Sequence, residues 1–91
     1  PGLVMVSMPA FGAEGPWRDA RAYGSTLEHA SGLPSVAGED GTPPVTSHLA
    51  YGDPVGGTNA ATAALLALLH RQRSGEGQHV DLSQVECIMQ F

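Results

Sequence analysis

Asp53, in the run Tyr51-Gly52-Asp53-Pro54, is the residue whose type and setting most favour covalent chemistry. Its neighbours predict that a helix opens here, with Asp53 at the N-cap and Pro54 at the first helical position. At such an N-terminus the backbone N–H groups and the macrodipole favour an anionic carboxylate. An anion flanked by Gly52 and by Gly56-Gly57 is open to attack an electrophile, and the glycines leave room for a bulky ligand. The same residue type before proline serves equally as a plain helix cap. Local sequence leaves both roles open.

Other chemistries are poorly supported. Gly52 to Thr58 is glycine-rich, but no Lys follows and the spacing fits neither a P-loop nor a dinucleotide fingerprint. His29, His48, His70 and His79 show no metal-ligand spacing, so no metal site is expected. Cys87 is the only cysteine, which excludes an internal disulfide and a thiolate cluster. It lies in an apolar stretch and reads as a small core residue. Trp17 either lines a pocket or covers the core.

The elements that must position Asp53 follow from pattern. Leu3 to Met8 is a short apolar run rich in β-formers and ended by Pro9, a buried strand suited to a parallel sheet. Phe11 to Ala22 reads as a loop, and Thr26 to Ser31 as a short helix stopped by Gly32 and Pro34. From Pro34 to His48 the chain is rich in turn-formers, with a turn at Glu39-Asp40-Gly41 and extension at Pro43-Pro44.

Val55 to Arg73 is the strongest helix, with His70, Arg71 and Arg73 at its cation-favouring end and Ser74-Gly75 breaking it. It is apolar nearly all round and rich in Gly and Ala, a pattern for burial against close neighbours. Gln78 to Leu82 alternates as a strand, and Ser83 with Glu86 forms a capping box for a last helix. Strand, loop, helix, strand and helix in that order predict an α/β layer architecture.

Composition narrows the function classes. With 91 residues, one domain at most is available, and 42% hydrophobic against 14% charged residues implies that other protein covers much of the surface. The net charge of −5, and four cations that are all Arg and scattered, argue against nucleic-acid binding. The most apolar stretch, Ala60 to Leu69, is too short to span a bilayer, so no membrane association is expected. A single cysteine fits a reducing cytoplasm. The chain starts at Pro1 and stops in an apolar run at Phe91, so a piece of a longer polypeptide is expected.

Several segments in colinear order resemble the class III coenzyme A-transferase (CaiB/BaiF) family. They are Val6 to Gly12 with Gly15-Pro16 and Arg18-Asp19, Tyr23-Gly24, Ser31-Gly32-Leu33, Gly41 with Pro43-Pro44, Gly52-Asp53-Pro54 and Ala64 to Leu82. The resemblance implies that residues 1–91 are part of a Rossmann-like large domain in an interlocked homodimer. It implies an enzyme with acyl-CoA and carboxylic acid substrates, no permanently bound cofactor, and Asp53 as nucleophile. In the family the aspartate attacks the acyl-CoA thioester, forming an acyl-aspartyl anhydride and then an aspartyl-CoA thioester.

CoA-contacting positions of family transferases match Arg21, Ala22, Tyr23 and Gly24, although Arg21 reads equally well as a solvated loop charge. Related α-methylacyl-CoA racemases carry His-Asp where this chain has Tyr23-Gly24, so their acid/base pair is incomplete here and transfer is favoured over isomerisation. Gly24 also replaces the acidic residue common in transferases, and Ala10 replaces a glycine. The family's N-terminal CoA-binding segments, smaller domain and glycine-rich active-site loop lie outside these residues. The 91 residues alone are therefore expected to be inactive, and a truncated member that only packs or dimerises is the non-enzymatic alternative.

Overall fold

A computed structural model describes residues 1–91. Two short strands, β1 (Val4–Ser7) and β2 (Gln78–Asp81), pair in parallel with Val4 opposite Gln78 and Ser7 opposite Asp81. Parallel pairing requires a crossover, and helices α1 (Gly24–Ser31), α2 (Leu33–Val36) and α3 (Gly52–Ser74) supply it. Helix α4 (Gln84–Ile88) follows β2. The expected α/β layering is present.

Backbone bonds extend the pairing beyond the strands. Pro1 O accepts from Gly77 N–H at 2.9 Å, Ser7 O from Leu82 at 2.9 Å, and Ala10 O from Val85 at 3.0 Å. Gly77 is needed for this approach, because a Cβ there would collide with the Leu3 backbone. Across the strands, Ser7 Oγ and His79 Nε2 are 2.8 Å apart.

The core is small and lies where α1, α4 and the start of α3 meet. Leu27, Val55, Val85, Cys87 and Ile88 are buried together, with Phe11, Ala22, Leu33 and Tyr51 packed against them. The rest of α3 projects from this core, which accounts for the 54 × 24 × 16 Å extents. Leu65, Leu66, Leu68 and Leu69 remain solvent-facing on α3, Leu65 at 67% exposure. The all-round burial expected of this helix is not realised within residues 1–91, because β1, β2, α1 and α4 reach only part of its surface.

Helix ends differ from the sequence expectation in four places. Gly75 closes α3 in the left-handed conformation as expected (φ 77°), its N–H bonding Arg71 O at 2.8 Å. At the other end, Tyr51 is already helical (φ −52°, ψ −25°), so Asp53 sits in the first turn and is not the N-cap. Pro54 tolerates this because first-turn N–H groups lack intrahelical acceptors. Second, α1 begins at Gly24 and not Thr26. Third, Pro34 does not end the helical path but sits in the first turn of α2, a short helix that sequence reading assigned to loop. Fourth, Ser83 precedes α4 without capping it, and its hydroxyl is buried without a partner. The capping box does not form.

Trp17 packs edge-on against Phe11, with centroids 5.3 Å apart, yet stays exposed. The Glu39-Asp40-Gly41 turn is present, closed by Thr42 N–H and Oγ1 on Glu39 O.

Candidate active site

Asp53 is exposed in the first turn of α3. Its own N–H bonds Ala50 O at 2.9 Å, which fixes the turn that delivers it. The carboxylates engaged by the protein are Asp81, through Ala13 N–H, Glu28, through Ser47, and Asp19, through Arg18. Asp53 is not among them, so its oxygens are free for a ligand.

What faces Asp53 is the start of α1. Gly24 is buried there, and a Cβ added to it would meet Asp53 Cγ and Oδ2 at 2.9 Å and Ala50 O at 2.5 Å. Gly52 makes the reciprocal approach: its Cβ would lie 2.8 Å from Gly24 O and 2.9 Å from Leu27 Cβ. Two glycines therefore let α1 and α3 touch backbone to backbone at their N-termini. Both helices begin without a side-chain cap, and their N-termini, the positive ends of two helix dipoles, meet at this junction.

The other sequence candidates surround this junction unequally. Tyr23 immediately precedes α1, is 85% exposed, and is available to a ligand. Arg21 is also exposed and makes no ion pair, whereas Ala22 turns inward onto the core. Of the two glycines expected to leave ligand room, only Gly57 faces open space. Gly56 is packed by Gln84, whose Oε1 would be 3.0 Å from a Cβ there. Gln84 is itself anchored, its Nε2 donating to Met8 O at 2.7 Å.

Sequence reading missed Glu28. It is 2% exposed on α1, one turn beyond Gly24 on the same face. Its Oε1 accepts Ser47 N–H at 2.6 Å and its Oε2 accepts Ser47 Oγ–H at 3.0 Å. The Ser47 N–H holds this carboxyl below its ordinary range against the opposing effect of burial, with help from the Ser47 hydroxyl and the Tyr51 N–H. Between Ser47 and Tyr51 the backbone is strained, with positive φ at His48 (60°) and Ala50 (46°). Such left-handed geometry costs about 1–2 kcal/mol per residue outside glycine. An apolar cavity of about 370 Å³ adjoins this segment, lined by Leu33, Val45, Leu49, Tyr51 and Phe91 with Glu28 at its edge. Asp53 does not line it.

Cys87 is buried in the core, and burial, with the Glu86 charge, pushes its thiol up. No group of His, Cys, Asp and Glu is arranged to hold a metal ion. No helix is long and apolar enough to cross a membrane.

The fold and the site define a parallel α/β layer with an unengaged carboxylate at the start of its long helix, and comparison with known proteins supplies the family. The model for CoA-transferase family III matches residues 1–91, and the chain belongs to that family. A succinyl-CoA–D-citramalate CoA-transferase of Chloroflexus aurantiacus is 40% identical over 98% of this chain and 22% of its own length. A succinate–glutarate CoA-transferase of Agrobacterium fabrum is 35% identical over 94% of this chain and 22% of its own. Among solved structures, a CaiB/BaiF family protein from Brucella suis superposes with a TM-score of 0.92 at 29% identity, over 99% of this chain and 24% of that one. The chain thus spans less than a quarter of the relatives it matches.

Proposed function

We propose that residues 1–91 are the nucleophile-bearing part of the large domain of an enzyme that exchanges coenzyme A between an acyl-CoA and a carboxylic acid. The observation that carries this reading is the exposed Asp53 carboxylate, unengaged by the protein and seated against a residue without a side chain. Relatives named as CoA-transferases support the reaction class.

Asp53 attacks the thioester carbonyl of the donor, releasing CoA thiolate and leaving an acyl-aspartyl anhydride. The thiolate then attacks the aspartyl carbonyl, which releases the donor acid and forms an aspartyl-CoA thioester. The acceptor carboxylate attacks that thioester, again expelling the thiolate. Attack of the thiolate on the acceptor acyl carbonyl yields the new acyl-CoA and restores Asp53. Dividing one acyl transfer into such steps is the benefit of a covalent route.

Around Asp53, the exposed Tyr23 packs on the pantetheine or adenine portion of CoA, and Arg21 pairs with its phosphates. Ala22 and Gly24 contribute backbone, Gly24 by its missing side chain. The exposed leucines of α3 are where the remainder of the parent chain, or a second chain of an interlocked dimer, packs.

Hydroxylamine trapping tests this reading. The full-length protein incubated with acyl-CoA and hydroxylamine yields a hydroxamate on the Asp53 peptide, seen by mass spectrometry. Asp53→Asn abolishes it and lowers turnover by about a thousandfold or more, the scale for losing a covalent nucleophile. Deuterium entering the α-carbon of a 2-methylacyl-CoA with no trapping would replace transfer with isomerisation.

A further inference from the structure

Glu28 is a carboxylate with little exposed surface and no salt bridge, satisfied instead by hydrogen bonds. Its bonds tie one segment of backbone to α1. Ser47 gives it both a backbone N–H and a hydroxyl, at 2.6 and 3.0 Å, and the Ser47 Oγ accepts Leu49 N–H at 3.3 Å. The two left-handed residues, His48 and Ala50, therefore lie between Ser47, bonded to Glu28, and the Asp53 N–H that Ala50 O accepts. Ala50 O in turn receives Asp53 N–H, so the strained segment sets the first turn of α3. One face of α1 thus carries both Gly24, against the Asp53 carboxylate, and Glu28, against the backbone that delivers it.

We infer that Glu28 is a positioning residue for the Asp53 nucleophile, clamping Ser47 so that the segment 48–50, with left-handed His48 and Ala50, holds the carboxylate against Gly24. This rests on reading Asp53 as the nucleophile. Glu28 touches no reacting atom. Its removal should lower the rate of forming the covalent intermediate while leaving acyl-CoA binding, which depends on other groups, nearly unchanged.

Two measurements on the full-length protein test the clamp. The first is peptide-resolved hydrogen exchange on wild type, Glu28→Ala and Glu28→Gln. Loss of amide protection across residues 47–53, with protection retained in residues 60–70 of α3, supports the clamp. Protection of 47–53 unchanged in both variants overturns it. The second is kinetics per folded molecule. The clamp predicts kcat down about ten- to a hundredfold in Glu28→Ala, the effect of misplacing a reacting group, with KM for acyl-CoA within about twofold. Glu28→Gln, which keeps one acceptor oxygen, and Ser47→Ala, which keeps the backbone bond, recover part of the loss. A Glu28 that only stabilises the fold would reduce the yield of folded protein and leave kcat per folded molecule unchanged, which overturns the inference. Should wild type transfer CoA between no acids while exchange at 47–53 still loosens, the clamp stands and the transferase reading falls.

Discussion

Gly24, the first residue of α1, leaves vacant the space that the Asp53 carboxylate occupies: a methyl group on it would lie 2.9 Å from both Cγ and Oδ2. Ala50 O, the acceptor for Asp53 N–H, would be nearer still at 2.5 Å. The Ala50 O contact is with backbone and cannot be relieved by a side-chain rotation, and relieving the other means moving the Asp53 carboxylate itself. The absence of a side chain at Gly24 and the placement of Asp53 are one structural fact.

Gly24→Ala is therefore expected to displace Asp53. Overpacking of this kind costs about 1–3 kcal/mol, and under the proposed function the full-length protein should lose CoA transfer more steeply than stability, about tenfold or more in kcat. Gly57→Ala is the comparison for stability alone. It lies one turn along α3 with nothing within 4 Å of its Cβ, and should gain about 0.5–1 kcal/mol of helix stability. Thermal unfolding separates the two variants, and kcat is read on Gly24→Ala against wild type. A Gly24→Ala enzyme with wild-type kcat would remove the junction from the site.

Much of this fold is legible in the sequence, and what is not has a common cause. Both strands, the long helix and its Gly75 stop follow from local composition, since their determinants sit within a few residues. Asp53 stands out because glycines and a proline surround it. Glu28 does not, because its meaning depends on Ser47, brought to it by a turn-rich segment whose path no periodicity encodes. The misread helix starts share that origin: Gly24 and Gly52 begin helices for the sake of a backbone contact, against their propensity.

Ser83 distinguishes a cap read from sequence from the one observed. A working capping box would make Ser83→Ala cost about 1 kcal/mol. In the structure the hydroxyl is buried with no partner, so removing it relieves an unsatisfied group. Ser83→Ala should leave the denaturation midpoint of the full-length protein unchanged or slightly raised. A clear drop would restore the capping box.

Cys87 is 4% exposed, with its thiol pushed up by burial and by the Glu86 charge. Little thiolate forms at neutral pH, and reagents reach it poorly. In the native full-length protein, alkylation at Cys87 followed by peptide mass spectrometry should be slow, and fast once urea is added. Rapid native labelling would mean that α4 opens readily from the core.

The Glu28 clamp also makes a prediction about acid. Its carboxyl is held below the ordinary value of 4.5, chiefly by Ser47 N–H, so the folded state binds the proton less readily than the unfolded chain. A group whose folded pKa is depressed adds stability that is complete above the unfolded value and is lost as pH falls through the folded one. The Glu28 contribution is thus whole at neutral pH and disappears below the carboxylate range. Glu28→Gln has no such proton to bind. At neutral pH it should unfold at lower urea concentration than wild type, and the gap should close as the solution is acidified past that range. Because the stabilising bonds end on the segment that carries Asp53, hydrogen exchange at residues 47–53 in wild type should loosen over the same interval, before the α3 amides do. A gap between the two proteins that stays constant with pH would mean that the Glu28 charge contributes nothing to holding Ser47.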